Sequence, residues 1–339
     1  MRNIWDRDRL YSFLRPYVDS CTRASYRRLK VEGTVPSDGA VLIAPNHTST
    51  LMDALVVLQS MKGPSAYGAR ADIFRKEKVA RILRFLKIVP IARMRDGAEE
   101  VSRNRVVFDE IDAIVEHKVP FCLFSEGRHR PMHSLLPIGK GIARIAFESA
   151  SKRQTYLVPT GIDYDEFFHY RSCCRLRYGE PIDINAFLEE HKDCSEAEQY
   201  RIIREELFKR MSSLILYLPD DEHYEERLAE IMASRKRTPR ALLWLSAIPA
   251  VPLFLLSSIL ALPMWATAET ICRGLKDPAW SNTVRFGVRL AMTPIMLLIW
   301  ALVFFLTLPW PIAAALYVCF LFSYSVFYDC LKLFRTLSF

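Results

Sequence analysis

Gly39-Ala-Val-Leu-Ile-Ala-Pro45, running into Asn46-His47-Thr48-Ser49, decides the fold class. The apolar run is short and of strand type. Thr48 and Ser49 are capping residues ahead of Leu51, Met52, Ala54, Leu55, Val57 and Leu58, so a helix begins directly after the strand. The same alternation continues outward. Residues 88–92, 120–124, 156–162 and 174–178 read as strands, and 101–117 and 138–149 as helices. Strands separated by helices of ten or more residues predict an α/β fold, a mixed and mostly parallel sheet flanked by helices. Residues 184–232 read as charged helices beside that core. Upstream, Ile4, Trp5, Leu10, Tyr11, Leu14, Tyr17 and Val18 fall close to one helical face, with most of the arginines elsewhere. That is the pattern of a surface helix or of one lying in a membrane interface.

The chain of 339 residues is 51% apolar and 25% charged, which excludes a disordered or low-complexity protein. Charge is unevenly placed. Residues 241–339 hold six Lys+Arg and three Asp+Glu, while 1–240 carry the other 40 and 35. Residues 241–268 form one uncharged run of 28 residues, and 290–328 another of 39, broken at Pro309-Trp310-Pro311. A spanning helix needs about 20 apolar residues. The second run therefore fits a transmembrane hairpin. The first contains Pro249, Pro252 and Pro263, and basic residues lie on both sides of it. A segment that re-enters on its starting side is the favoured expectation, and a plain span its competitor.

These features divide the chain into an amphipathic interfacial helix at 1–30, an α/β domain with helical extension at 31–233, a basic hinge at 234–240 and a membrane region at 241–339. The net charge of +8 comes with no nucleic-acid-binding signature, so membrane lipids, not nucleic acid, are the expected partners. The eight cysteines lack C-x-x-C spacing and read as reduced thiols.

Two segments carry chemistry. His47 stands where a strand ends and a helix begins, the edge at which α/β sheets place ligands. A neutral imidazole there can deprotonate a hydroxyl if a carboxylate fixes its tautomer, and Asp53 is the nearby candidate. Taken alone, such a histidine is more often a structural or capping residue. The second segment is Ser125-Glu126-Gly127-Arg128-His129-Arg130, which follows a strand and groups basic side chains around a flexible glycine, as a phosphate would require. Its bland reading is a solvated loop whose Glu126 pairs with its own arginines. Pro131 argues against a metal site at His129 and His133, and no metal is expected. A third segment places Arg93 at the end of the 88–92 strand, and a fourth, Leu157-Val158-Pro159-Thr160-Gly161-Ile162, is an apolar strand.

In this order and spacing, over about residues 36–165, the four segments resemble the glycerolipid acyltransferase superfamily typified by lysophosphatidate acyltransferase. The resemblance implies that His47 is the general base and Asp53 its partner, and that Arg93, Glu126, Gly127 and Arg128 bind the acceptor. It further implies acyl-CoA or acyl carrier protein as the acyl donor, with no bound cofactor. From the reduced thiols and the basic loops, the catalytic domain is expected at the cytoplasmic face of a membrane, a bacterial inner membrane in preference to an organelle. Two departures stand out. The family spaces its histidine and aspartate as His-x4-Asp, whereas here the pattern is His-x5-Asp. That swings the carboxylate about 100° further round a regular helix, so direct pairing requires an irregular first turn. The longer spacing resembles the glycerol-3-phosphate and dihydroxyacetone-phosphate branch. Ser125 replaces a usual proline. A lysophospholipid or lyso-aminolipid acceptor and a non-enzymatic membrane-shaping protein are the rival readings.

Overall fold

The computed structural model describes residues 3–6, 8–92, 104–234 and 239–338. Its centre is an eight-stranded sheet: β1 (Arg28–Glu32), β2 (Ala40–Pro45), β3 (Ala66–Arg70), β4 (Ile88–Ile91), β5 (Phe121–Cys122), β6 (Thr155–Tyr164), β7 (Cys173–Tyr178) and β8 (Ile182–Asp183). The strand order is β1-β7-β6-β2-β5-β3-β4, with β8 on β6. Pairing is parallel except where β6 meets β7 and β8. The mixed, mostly parallel sheet expected from the alternating pattern is what forms. Its first strand starts at Arg28, ahead of the domain boundary expected at residue 31.

Period-two alternation along the strands sends side chains to two buried layers. Leu42, Ala44, Phe121 and Leu157 face α4 (Asn104–Glu116), α5 (Lys140–Ala150) and α7 (Glu196–Ser213), through Ile111, Ile142 and Leu207. On the other face, Val41, Ile43, Cys122 and Val158 meet Met52, Val56 and Val57 of α2 (Thr50–Ser60) and Cys21 of α1 (Arg9–Ala24). Helix α1 starts at Arg9, capped by Asp8, whose side chain accepts from the Tyr11 N–H at 3.0 Å. It turns Leu10, Phe13 and Leu14 outward. The short α3 (Glu77–Phe85) precedes β4, α6 (Ile184–Glu190) packs Ile184 and Phe187 into the layer of α5, and α8 (Tyr224–Ser234) follows.

Three helices long and apolar enough to cross a membrane follow: α9 (Arg240–Arg273), α10 (Ser281–Thr307) and α11 (Trp310–Ser338). The last two form the expected helical pair, meeting at the Pro-Trp-Pro step. The re-entrant hairpin favoured for 241–268 is not what forms. This run is one continuous helix of 34 residues with Pro249, Pro252 and Pro263 inside it. The reason is in the composition. Residues 241–268 are almost wholly apolar and contain no Gly, Asn or Asp, the residues that most readily take left-handed turn conformations. Proline inside an apolar helix bends it without turning it round.

The apolar helices are locked onto the α/β domain. Arg289, only 6% exposed, donates to the Ala24 carbonyl and to Ser325 Oγ, both at 2.6 Å. Arg171 pairs with Asp329 at 2.6 Å. The Tyr17 hydroxyl donates to the Leu290 carbonyl at 2.8 Å, and Asn282 Nδ2 to the Phe167 carbonyl at 2.9 Å.

Candidate active site

β2 is central and wholly buried, and its C-terminal end delivers Asn46 and His47. Asn46 clamps this end to β6: its Nδ2 donates to the Ile162 carbonyl at 3.0 Å and its Oδ1 accepts from the Ile162 N–H at 2.6 Å. The chain then turns sharply into α2. Ser49 leaves the strand conformation at φ −132°, ψ +47°, and Thr50 sits at φ +47°, a left-handed conformation that a β-branched residue takes only at a cost. This is the irregular turn that His-x5-Asp demands. It brings Asp53 back under the histidine.

The result is a tight dyad. His47 Nδ1 lies 2.8 Å from Asp53 Oδ2, which also accepts the Thr48 and Ser49 N–H groups at 2.7 Å each. The Tyr164 hydroxyl donates to Asp53 Oδ1 at 2.8 Å. Burial, together with the Asp53 charge, pushes the Tyr164 phenol well above its usual range, so it remains a donor. With four donors converging, the carboxylate can only accept. The His47 proton therefore sits on Nδ1, and Nε2 keeps its lone pair. The Asp53 side chain is 0% exposed and that of His47 is 19% exposed, so the orienting group is sealed while the basic nitrogen stays reachable. The His47 ring stacks on Phe124, with centroids 4.4 Å apart.

β5 leads into the second segment. Glu126 reaches both loops: Oε1 accepts the His47 N–H and Oε2 the Leu136 N–H, each at 2.8 Å. Both oxygens are thus engaged with backbone, and Glu126 holds the His47 loop to the loop before α5. Gly127 has φ +70°, which lets the chain turn beside the site. Arg128 is exposed and, among the described residues, makes no ion pair, so it is free to meet an anion. Arg130 is spent on Asp220 and Ser134. Ser125 is buried, its carbonyl accepting the Gly139 N–H at 2.8 Å. His129 and His133 diverge, His129 toward Asp277 and His133 toward Asp163. Arg93 lies outside the described residues.

Burial pushes the Glu126 carboxyl up to about 7, against the pull of its two N–H donors. Its unfolded value is lower, near 4.5, so the folded state holds an extra proton between those values. Stability present below pH 4.5 is therefore lost as pH rises toward 7, by at most about 1.4 kcal/mol per pH unit. Glu126→Gln removes this contribution and turns an amide N–H toward a backbone N–H, costing about 1–3 kcal/mol at low pH. Chemical denaturation at pH 5 and pH 7.5 should show a smaller pH slope for the variant. Equal slopes would contradict the assignment.

Sequence reasoning missed two groups. One is Tyr164, 111 residues from Asp53. The other is the connector between α9 and α10, which reaches the site. His129 Nε2 donates to Asp277 Oδ2 at 2.7 Å, and that bond pulls the Asp277 carboxyl below its usual range. The His129 ring stands edge-on to His47 at 5.7 Å and to Trp280 at 6.4 Å. Thr283 Oγ1 lies 2.8 Å from the hydroxyl of Thr50, the left-handed residue. Since the His129–Asp277 pair is half-exposed, it is worth about 1 kcal/mol or less. Asp277→Asn should cut kcat/KM by roughly fivefold at unchanged Tm, while a Tm drop of the same rank would mean that the pair only braces the fold.

Residues 28–163 match the family model described as Acyltransferase. This stretch, 136 of the 339 residues, is similar to acyltransferase domains. It contains β1, the His47–Asp53 dyad, the Glu126 loop and most of β6. An uncharacterized acyltransferase of Schizosaccharomyces pombe is 24% identical over 193 residues, which is 56% of this chain and 27% of that protein. The chain thus spans about a quarter of the length of this curated relative. A solved structure, the 1-acyl-sn-glycerophosphate acyltransferase PlsC of Thermotoga maritima, is 20% identical, with a TM-score of 0.43 over 69% of this chain and 86% of that one. In this chain, the connector from the apolar helices supplies part of the wall around His47.

Proposed function

We propose that the chain is a membrane-bound O-acyltransferase that moves a fatty acyl group from a thioester, acyl-CoA or acyl carrier protein, to the free hydroxyl of 1-acylglycerol-3-phosphate, with His47 as general base. The observation that carries this reading is the dyad, with Nδ1 anchored on a sealed carboxylate and Nε2 open. In the step so formed, Nε2 takes the hydroxyl proton as the oxygen attacks the thioester carbonyl. Asp53 stabilises the imidazolium. As the C–S bond breaks, the proton passes to the sulfur, and a free thiol and an ester leave. Neither an acyl-enzyme nor a metal is needed in this sequence. The exposed Arg128 is the described cation suited to the acceptor's phosphate, and Arg93 is assigned the same task from the sequence motif.

The apolar helices fit an acceptor and product that reside in a bilayer. The α9–α10 connector touches the catalytic loop, so the two share one side of the membrane. Arg273, Lys276, Arg285 and Arg289 lie at or beside it, and basic flanks of this kind face the cytoplasm. A second reading, with glycerol-3-phosphate or dihydroxyacetone phosphate as acceptor, is favoured by the six-residue step from His47 to Asp53 and its left-handed Thr50.

The test uses the full chain in detergent, with labelled acyl-CoA and acyl carrier protein offered in parallel. Lysophosphatidate, glycerol-3-phosphate, dihydroxyacetone phosphate and lysophosphatidylethanolamine are the acceptors. Label in phosphatidate supports the first reading, and label in lysophosphatidate or acyl-dihydroxyacetone phosphate the second. Label in no ester at all would overturn both and favour a membrane-shaping role.

A further inference from the structure

A cleft of about 520 Å³ opens where the loop after β6 meets the end of α11, away from the catalytic loop. Glu166, Phe168 and His169 line it on one side, and Lys332, Arg335 and Thr336 on the other. A smaller recess of about 160 Å³ continues it inward over Trp265, Arg285 and Tyr328. We propose that this cleft binds the phosphate of an anionic phospholipid, as a site separate from the acyl-transfer centre.

Three cations line the two compartments, and two of them already have carboxylate partners. Lys332 Nζ lies 3.0 Å from Glu166 and 3.5 Å from Asp165, and Arg285 lies 3.6 Å from Glu269. Arg335 lines both compartments and, among the described residues, has no carboxylate partner. Burial pushes the His169 imidazole down, Glu166 acts against this, and Lys332, Arg335 and Arg285 add to it; His169 lines both compartments, as Arg335 does. Two polar atoms here are buried with no partner, His169 Nε2 and Arg285 Nε. A buried polar atom left unpaired costs about 1–3 kcal/mol, and a phosphate oxygen supplies the acceptor that the Arg285 N–H lacks.

The recess distinguishes a lipid from a free phosphate. Its floor is aromatic and aliphatic, from Trp265, Phe327, Tyr328 and Leu331, and it adjoins helices long and apolar enough to lie in a bilayer. A headgroup held by Arg335 would thus stand over a surface that accepts the first carbons of its chains. Basic recesses at the ends of such helices hold anionic headgroups on the same principle. None of the cleft's lining residues belongs to the 125–130 loop or to the His47–Asp53 dyad.

The experiment uses the full chain in dodecyl maltoside and follows Tm and equilibrium binding against three probes: dioctanoyl phosphatidylglycerol, dioctanoyl phosphatidylcholine and inorganic phosphate. Saturable binding of phosphatidylglycerol with a rise in Tm is expected, together with little response to phosphatidylcholine. Binding should weaken about tenfold in Arg335→Gln and recover in part in Arg335→Lys. His169→Gln supplies an independent variant should Arg335→Gln fail to fold. Equal affinity for phosphatidylcholine, or unchanged affinity in folded Arg335→Gln and His169→Gln, would overturn the proposal. Inorganic phosphate binding as tightly as phosphatidylglycerol would overturn the lipid part and leave a free-anion site.

Discussion

His47→Ala is expected to lower the acyl-transfer rate about a thousandfold with little change in Tm. General-base catalysis of this kind contributes about 10²–10⁴-fold, and among the described residues no second base stands in line. His129, the nearest imidazole, is turned onto Asp277. The fold should tolerate the change, because Asp53 keeps the Thr48 and Ser49 N–H groups and the Tyr164 hydroxyl as donors. Glu126 accepts the residue 47 N–H from backbone, which alanine retains. Loss of rate at constant Tm separates catalysis from structure. A loss accompanied by unfolding would leave the role of His47 open to either, and His47→Gln would then be compared, since it keeps a polar side chain of similar length.

Asp53 carries two duties, and two substitutions divide them. Asp53→Asn keeps the shape: the amide oxygen can still accept the three bonds now made by Oδ2, and the amide N–H can donate to Tyr164. What it loses is the charge opposite the imidazolium, so the rate should fall by about a hundredfold or more while the protein stays folded. Asp53→Ala removes the acceptor altogether. Two backbone N–H groups and a buried phenol are then stranded at a turn already strained by the φ of +47° at Thr50. At about 1–3 kcal/mol for each buried unpaired group, a destabilisation of about 3–5 kcal/mol is expected, read as a lower denaturation midpoint. If Asp53→Asn kept full activity, the carboxylate would be a structural anchor for α2 and nothing more.

The parts of this molecule that were legible in its sequence are those where the signal is local. β2 and α2 announce themselves through an apolar run, two capping residues and a helical repeat. The extra residue between His47 and Asp53 called for an irregular turn, and Thr50 supplies it. β1 and β3 were passed over for opposite reasons. Arg28-Leu-Lys-Val-Glu32 is a charged edge strand on the rim of the sheet. Ala66-Tyr-Gly-Ala-Arg70 hides a strand behind Gly68, where a Cβ would come within 2.6 Å of Ile91. The hairpin expected in 241–268 gave three prolines more weight than the missing turn residues. Tyr164 and Asp277 could not be read at all, because each meets its partner across more than a hundred residues. Nothing local distinguishes such a tyrosine or aspartate from others of its kind. Glu126 was expected to touch the acceptor. Its two oxygens are both engaged by backbone N–H groups, a geometry that only the fold reveals.

The account's central claim is that an open imidazole on a sealed carboxylate moves an acyl group directly from sulfur to a hydroxyl. The most direct measurement follows thiol release and ester formation together, from acyl-CoA in the presence and absence of an acceptor, for the wild-type chain and His47→Ala. One ester per thiol, with release dependent on the acceptor and lost in the variant, is the predicted result. Thiol released without ester, or equal transfer by His47→Ala, would contradict it.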